Sequence, residues 1–295
     1  MRVLHDVPAP AKLNLFLHVV GRRADGYHLL QTVFRFVDFC DTLDFERLED
    51  RRILRAEETL PGLAAEEDLV VRAARALQQA TGTSYGARIA CRKQIPAGAG
   101  LGGGSSDAAS TLLALNRLWG TGLRRSELMR LALALGADVP VFILGQCAFA
   151  EGIGADLSPL LLPQRAYGLV MPAMPIATAD IFSDPDLTRN TESVRISDFT
   201  EWLEGNSGLY GCNDLQAVVI RRYPQWCGLH QALQAAGGHF RMTGSGSGLF
   251  AEYTDLATAQ MQHDQIISKI RPGRAVFQSR VCRGLQDHPL RGWVD

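Results

Sequence analysis

Three places in this chain put reactive or backbone-rich residues inside otherwise apolar sequence. The first is IPAGAGLGGGSSDAA (95–109), with five glycines and two serines in fifteen residues. It runs directly into a helical pattern at Ala108, Leu112, Leu115 and Leu118. A helix start exposes unpaired N–H groups at a positive dipole end, so a glycine loop entering a helix makes an anion cradle. Pro96, Ala97, Gly98, Ala99, Gly100, Leu101, Gly102, Gly103, Gly104, Ser105 and Ser106 form the candidate cradle. Ser105 and Ser106, in the first turn or at the cap, can donate hydroxyls to an anion or ligate Mg²⁺. A triphosphate fits this chemistry.

The second place is Lys12 in KLNLFLHVVG (12–21), a strand-like run in which Lys12, Asn14 and Phe16 share a face. Lys12 and Asn14 can then line one wall together, although a lone lysine is commonly a snorkelling side chain. The third is Asp138 in GADVP, between the helix stop Gly136 and the apolar VPVFI. A carboxylate there can be partly desolvated and act as a base, or can simply form an Asx turn ahead of Pro140. Lys93, three residues before Pro96, is a candidate nucleotide contact or a surface lysine.

Two familiar phosphate loops do not fit. A Walker A loop needs a lysine immediately before the serine, and none stands there. A dinucleotide fingerprint is formally present at Gly98, Gly100 and Gly103, but it should open a regular βαβ unit, whereas this loop follows Pro96 and a short polar strand.

The elements that must position these residues are mixed α and β. Apolar alternation predicts strands at 12–21, 30–46 and 87–93, and helical spacing with glycine stops predicts helices at 66–82 and 126–136. EGIGADLSPLLLPQ (151–164), rich in glycine and proline, is the expected domain boundary. Beyond it come a strand at YGLVMPA, a polar loop at SDPDLTRNTES, helices near 213–236, a strand pair around MTGSGSGLFAEY and a helix over 254–270.

Composition narrows the classes. With 30 Lys and Arg against 31 Asp and Glu, no global field recruits nucleic acid or an anionic membrane, so an anionic ligand must be held locally. No run approaches a membrane span of roughly 20 apolar residues, and the first ten residues have no signal-peptide core. A cytoplasmic location is expected. Six cysteines without C-x-x-C and seven scattered histidines suggest thiols and no metal cage built from protein ligands alone.

Pro96-x-x-x-Gly100-Leu101-Gly102-x-x-Ser105-Ser106 resembles the central phosphate loop of the GHMP kinases, the superfamily of galactokinase, homoserine kinase and mevalonate kinase. Segments 10–34, 135–154 and 242–252 are similar, in order and spacing, to the member that phosphorylates a cytidine diphosphate conjugate of methylerythritol at its 2-hydroxyl in non-mevalonate isoprenoid biosynthesis.

The resemblance implies an α+β, two-lobed fold. Its N-terminal lobe (1–155) would be ribosomal protein S5 domain 2-like and its C-terminal lobe (156–295) ferredoxin-like, with ATP and Mg²⁺ bound between them. It implies Asp138 as the base, Lys12 as its catalytic partner, and Tyr27, His28 and Phe182 as faces for the cytosine end. Gly244 to Gly248 would pack the second lobe against the site, though a tight hairpin would also explain them. One departure is Asp68, where members carry Asn before the leucine; an ionised carboxylate only accepts hydrogen bonds, which weakens that side chain's implied role at adenine. Asp107, negative beside the implied phosphates, is expected to point outward. Other small-alcohol GHMP kinases, a non-catalytic nucleotide-binding module and a dinucleotide-dependent oxidoreductase are the competing readings.

Overall fold

The computed structural model describes residues 2–56, 64, 66–206, 208–270 and 277–295. Its spine is a long antiparallel hairpin, β1 (Val3–Arg22) with β2 (His28–Leu48). The expected strand at 12–21 therefore begins nine residues earlier, through Pro8 and Pro10. Those prolines are tolerated because around them β2 is the strand that β1 pairs with among the described residues, so the missing N–H groups need not serve a second neighbour. β2 is shared along its other side: β4 (Gly86–Arg92) takes residues 42–48, β5 (Ala148–Glu151) takes 32–34, and β10 (Phe277–Leu285) takes 36 and 37. β3 (Ile53–Arg55) adds in parallel to β4.

Four helices cover this sheet: α1 (Leu69–Thr81), α2 (Gly103–Trp119), α3 (Arg125–Leu135) and α4 (Val139–Leu144). Asp68 caps α1 by accepting from Val70 N at 2.9 Å, and Gly82 ends it in the left-handed region, as the sequence signals required. α2 starts from Gly102 and is buried along most of its length, with Leu112, Leu115 and Leu118 inside the first core.

The stretch expected as the boundary between 1–155 and 156–295 opens with a hairpin. β6 (Asp156–Pro159) pairs back on β5, Glu151 facing Asp156, and the chain passes to the second lobe in residues 160–165. There β10, β7 (Ala166–Pro172), β9 (Leu249–Tyr253) and β8 (Arg241–Met242) form an antiparallel sheet in that order. Five helices accompany it: α5 (Thr178–Phe182), α6 (Ile196–Gly205), α7 (Asp214–Arg222), α8 (Pro224–Ala235) and α9 (Leu256–Ile270). β10 touches both β7 and β2, so the two sheets join into one of ten strands. Within the described residues no helix is long and apolar enough to cross a membrane.

The lobes also meet through backbone. Two turns, 98–102 and 244–248, stack on each other: Ser247 N donates to Gly98 O at 2.8 Å and Gly248 N to Ala99 O at 3.1 Å. β1 threads past both, with Lys12 N donating to Leu101 O at 2.9 Å and Asn14 N to Thr243 Oγ1 at 2.9 Å. Farther along β1, Leu17 and Val19 enter the second core.

A Cβ on Gly100 would lie 2.1 Å from Thr243 O, on a backbone already at φ +69°. Gly100→Ala should therefore force the turns apart and destabilise the protein by about 2 kcal/mol or more, read as a lower urea midpoint. An unchanged midpoint would mean that the stacking contributes nothing to stability.

Candidate active site

The lobes enclose a cavity of about 800 Å³ between the two stacked turns and the hairpin end 22–28. Lys12 and Asn14 of β1 face it, although both side chains are almost wholly shielded. The Lys12 amine donates to Asn14 Oδ1 at 2.6 Å, sits 3.0 Å from Asp138 Oδ2 and lies 5.2 Å above the Phe34 ring. Asn14 Nδ2 donates to Thr32 Oγ1 at 2.9 Å, and that hydroxyl donates to Phe16 O. The Thr32 hydroxyl orients the Asn14 amide, and the amide oxygen in turn holds the ammonium.

Phe16 does not join this wall. The β1–β2 register shifts between Asn14 and Leu17, and the Phe16 ring packs with Phe149, Phe199 and Tyr210 instead. Alternation alone failed at that bulge.

Asp138 stands at the N-cap of α4 but makes no side-chain capping bond, so it does not serve as a turn former. Its carboxylate faces Lys12 and is about two-fifths exposed. A cation held by a buried amide beside a half-open carboxylate is a pairing suited to proton transfer with charge compensation.

The glycine loop divides by alternation. Gly98, Gly100, Gly102 and Ser105 line the cavity, whereas Pro96, Ala97, Ala99, Leu101, Gly103, Gly104 and Ser106 do not. Ala99 and Leu101 anchor in the core, and the space beside Gly103 is taken by Ile95. Gly98, Gly100 and Gly102 all have φ near +70°, which L side chains resist. Gly102 has a second reason: a Cβ there would lie 3.0 Å from Lys12 Cε and Cγ and 3.2 Å from Phe142 Cζ. The first N–H groups of α2 have no acceptor within the helix, and Gly102 and Ser105 at that end line the cavity.

Lys93 and Asp107 depart from expectation. Asp107 points inward, and its carboxylate lies 2.5 Å from Lys93 Nζ, with Asp41 on the ammonium's other side. The reason is packing: position 107 lies on the buried face of α2, where a carboxylate must find a cation. Burial pushes the Asp107 carboxyl up to about 7, with Lys93 opposing. Burial disfavours the Lys93 charge too, but Asp107 and Asp41 outweigh it and hold the ammonium charged. Asp41 also accepts from the backbone N–H of Gln94 and Ile95, so this triad roots the glycine loop, and Lys93 is not on the cavity wall. Asp68 is also off the wall, occupied by its cap and by Arg55 at 3.1 Å.

Tyr27, His28 and Phe182 line the opposite end. Tyr27 is exposed, and the His28 and Phe182 rings lie 5.0 Å apart. Burial, then the charges of Arg189 and Arg22, holds the His28 imidazole below its ordinary range. The Gly244–Gly248 turn is both a hairpin connection and a cavity wall, and Ser245 Oγ bonds Thr178 Oγ1 at 2.7 Å. Thr32 and Thr178 are wall residues absent from the sequence reading. Thr32 was hidden in the β2 alternation, and nothing local marks Thr178.

The GHMP kinases N terminal domain family matches residues 68–146, from the cap of α1 to just beyond α4. A 4-diphosphocytidyl-2-C-methyl-D-erythritol kinase of Bordetella parapertussis is 57% identical over 99% of both chains. A solved 4-(cytidine 5'-diphospho)-2C-methyl-D-erythritol kinase superposes with TM-score 0.78 at 32% identity, covering 94% of this chain and 98% of that one. Homoserine kinase from Cytophaga hutchinsonii shares the fold alone, with TM-score 0.67 at 16% identity over 98% and 96% of the two chains. The fold and the match define a GHMP kinase. Within that class the chain belongs to the family of 4-diphosphocytidyl-2-C-methyl-D-erythritol kinases.

Because Gly102 leaves the room that Lys12 occupies, Gly102→Ala should push the ammonium off Asp138 as well as strain the loop by about 1 to 2 kcal/mol. The expected result is a fall in kcat of about tenfold or more in a protein that still folds. A variant with normal kcat would show that Lys12 keeps its place without that space.

Proposed function

We propose that the chain transfers the γ-phosphoryl group of ATP to the 2-hydroxyl of 4-diphosphocytidyl-2-C-methyl-D-erythritol, with Asp138 and Lys12 as the catalytic pair. The observation that carries this reading is the 3.0 Å contact between Lys12 and Asp138 in a cavity bounded by the α2 N-terminus on one side and by Tyr27, His28 and Phe182 on the other.

Asp138 accepts the proton of the acceptor hydroxyl as its oxygen bonds to the γ-phosphorus. The bond from that phosphorus to the β–γ bridging oxygen breaks, and ADP leaves with the electron pair. Lys12 holds the Asp138 carboxylate in place and offsets charge gathering on the transferring oxygens. Asn14 holds the ammonium in position. The N–H groups at the start of α2 and the backbone of Gly98, Gly100 and Gly102 receive the triphosphate. Mg²⁺, when bound, would neutralise phosphate charge, and Ser105, a wall residue, would offer it a hydroxyl. The described residues contain no group of three His, Cys, Asp or Glu that could hold a metal.

Tyr27, His28 and Phe182 receive the cytosine by stacking and hydrogen bonding, which selects a nucleotide-tailed alcohol over a simple one.

Asp138→Asn preserves size but removes the base, so kcat should fall by about 10² to 10⁴ with little change in nucleotide affinity. Near-normal turnover would exclude Asp138 as the base. Tyr27→Ala should weaken apparent affinity for the conjugate about ten- to a hundredfold and leave that for ATP nearly unchanged. Measuring kcat/KM for the conjugate, free methylerythritol, homoserine and mevalonate in parallel tests the acceptor itself. A better rate with homoserine or mevalonate would overturn the assignment, and no phosphorylation of any would favour a non-catalytic nucleotide-binding module.

A further inference from the structure

The acceptor end of the cavity is held by a residue that does not itself line it. Arg189 lies in the irregular segment after α5, and five hydrogen bonds occupy its guanidinium. Its Nε donates to His28 Nε2 at 3.1 Å. Nη2 donates to Phe182 O at 3.2 Å and Asp184 O at 2.6 Å, and Nη1 to Pro185 O at 3.2 Å and Leu187 O at 3.1 Å. Five donors are all that a guanidinium has, so none is left for a ligand. The acceptors fall on two separate walls: His28 at the start of β2, and the segment that begins with Phe182.

We propose that Arg189 is a positioning residue for the acceptor site, fixing His28 as the neutral ring with its hydrogen on Nδ1 and tying that ring to Phe182 before substrate arrives. This rests on the acceptor reading given above. An arginine Nε–H always donates, so His28 Nε2 must present a lone pair, and a neutral imidazole can then carry its hydrogen only on Nδ1. Protonation would set two N–H groups against each other.

The charged neighbours act in the same sense. Arg22, at the end of β1, is the cross-strand partner of His28. Asp25, in the turn between them, is engaged by Arg23 at 2.7 Å. Asp184, the buried carboxylate of the Arg189 segment, is drawn away by Arg221 at 3.1 Å and Arg222 at 3.6 Å of α7. The His28 ring therefore faces two cations, while the nearby carboxylates are committed elsewhere. A slot assembled in advance avoids ordering its walls on binding, and that saving appears in acceptor affinity more than in the phosphoryl-transfer step.

Arg189→Met and Arg189→Lys in the full chain test the proposal, assayed with the cytidine diphosphate conjugate and ATP and followed by NMR of ¹⁵N-histidine-labelled protein. Arg189→Met should raise KM for the conjugate about ten- to a hundredfold while KM for ATP and kcat stay within about threefold. Arg189→Lys, which keeps one charged donor group, should recover part of that loss. In the unmodified protein His28 should show one tautomer, hydrogen on Nδ1, and take up its second proton only below the ordinary histidine range. In Arg189→Met it should titrate at a higher pH than in the unmodified protein, still below the ordinary histidine range because burial and Arg22 remain, with KM for the conjugate rising as pH falls through that transition.

A hydrogen on Nε2 in the unmodified protein, an unchanged KM for the conjugate, or equal rises for conjugate and ATP would each overturn the proposal. Should Arg189→Met fail to fold, Arg189→Lys and the unmodified spectrum decide the matter. If the unmodified protein does not phosphorylate the conjugate, the acceptor assignment fails, and the tautomer still reports whether Arg189 fixes His28.

Discussion

Three backbones cross within a few ångströms at the centre of this molecule, and the rest is arranged around that crossing. β1 donates to the glycine loop through Lys12 N and to the opposite lobe through Asn14 N, while the 244–248 turn donates to the same loop through Ser247 and Gly248. No side chain can be inserted: a Cβ on Gly100 or Gly248 would lie 2.1 or 2.4 Å from a carbonyl oxygen of the other turn. Buried N–H and C=O groups left unpaired would each cost about 1 to 3 kcal/mol, so the glycines are needed for pairing as much as for ligand approach. A loop usually described by what it binds is here equally a structural joint.

Charge is organised in two layers beneath and above that joint. Below it, Asp41, Lys93 and Asp107 form a buried group that anchors the entry to the loop and the first turns of α2. Above it, Lys12 and Asp138 face the cavity, with the lysine held by Asn14. The lower triad is shielded and structural, whereas the upper pair keeps a carboxylate partly open to the cavity. Replacing one partner of a buried group leaves the other uncompensated, so each layer tolerates substitution poorly for a different reason.

The shared fold does not by itself dictate an acceptor. Homoserine kinase has this architecture at 16% identity. The hairpin end 22–28 and the segment 178–189 bring Tyr27, His28 and Phe182 to one end of the cavity. Loops set on a rigid frame can diverge in recognition without disturbing the joint that positions the chemistry.

Much of this was legible in the residues alone. Alternation in β2, the Gly82 stop of α1, the glycine loop entering α2 and the strand pair around Gly244–Gly248 are local signals, carried by side-chain period and backbone permissiveness. Lys12 and Asp138 stood out by type and surroundings, Tyr27, His28 and Phe182 only through the family resemblance, and the fold brings all five to one cavity. Local pattern was insufficient where the decision was made by a distant partner. The bulge after Asn14 turned Phe16 away from the wall, and burial of one α2 face drew Asp107 inward onto Lys93. An edge position let β1 run through two prolines. Thr178 and Arg189 acquire their roles only from groups 67 and 161 residues away in the chain, Ser245 and His28, and contacts of that range leave no periodic trace because tertiary packing alone creates them.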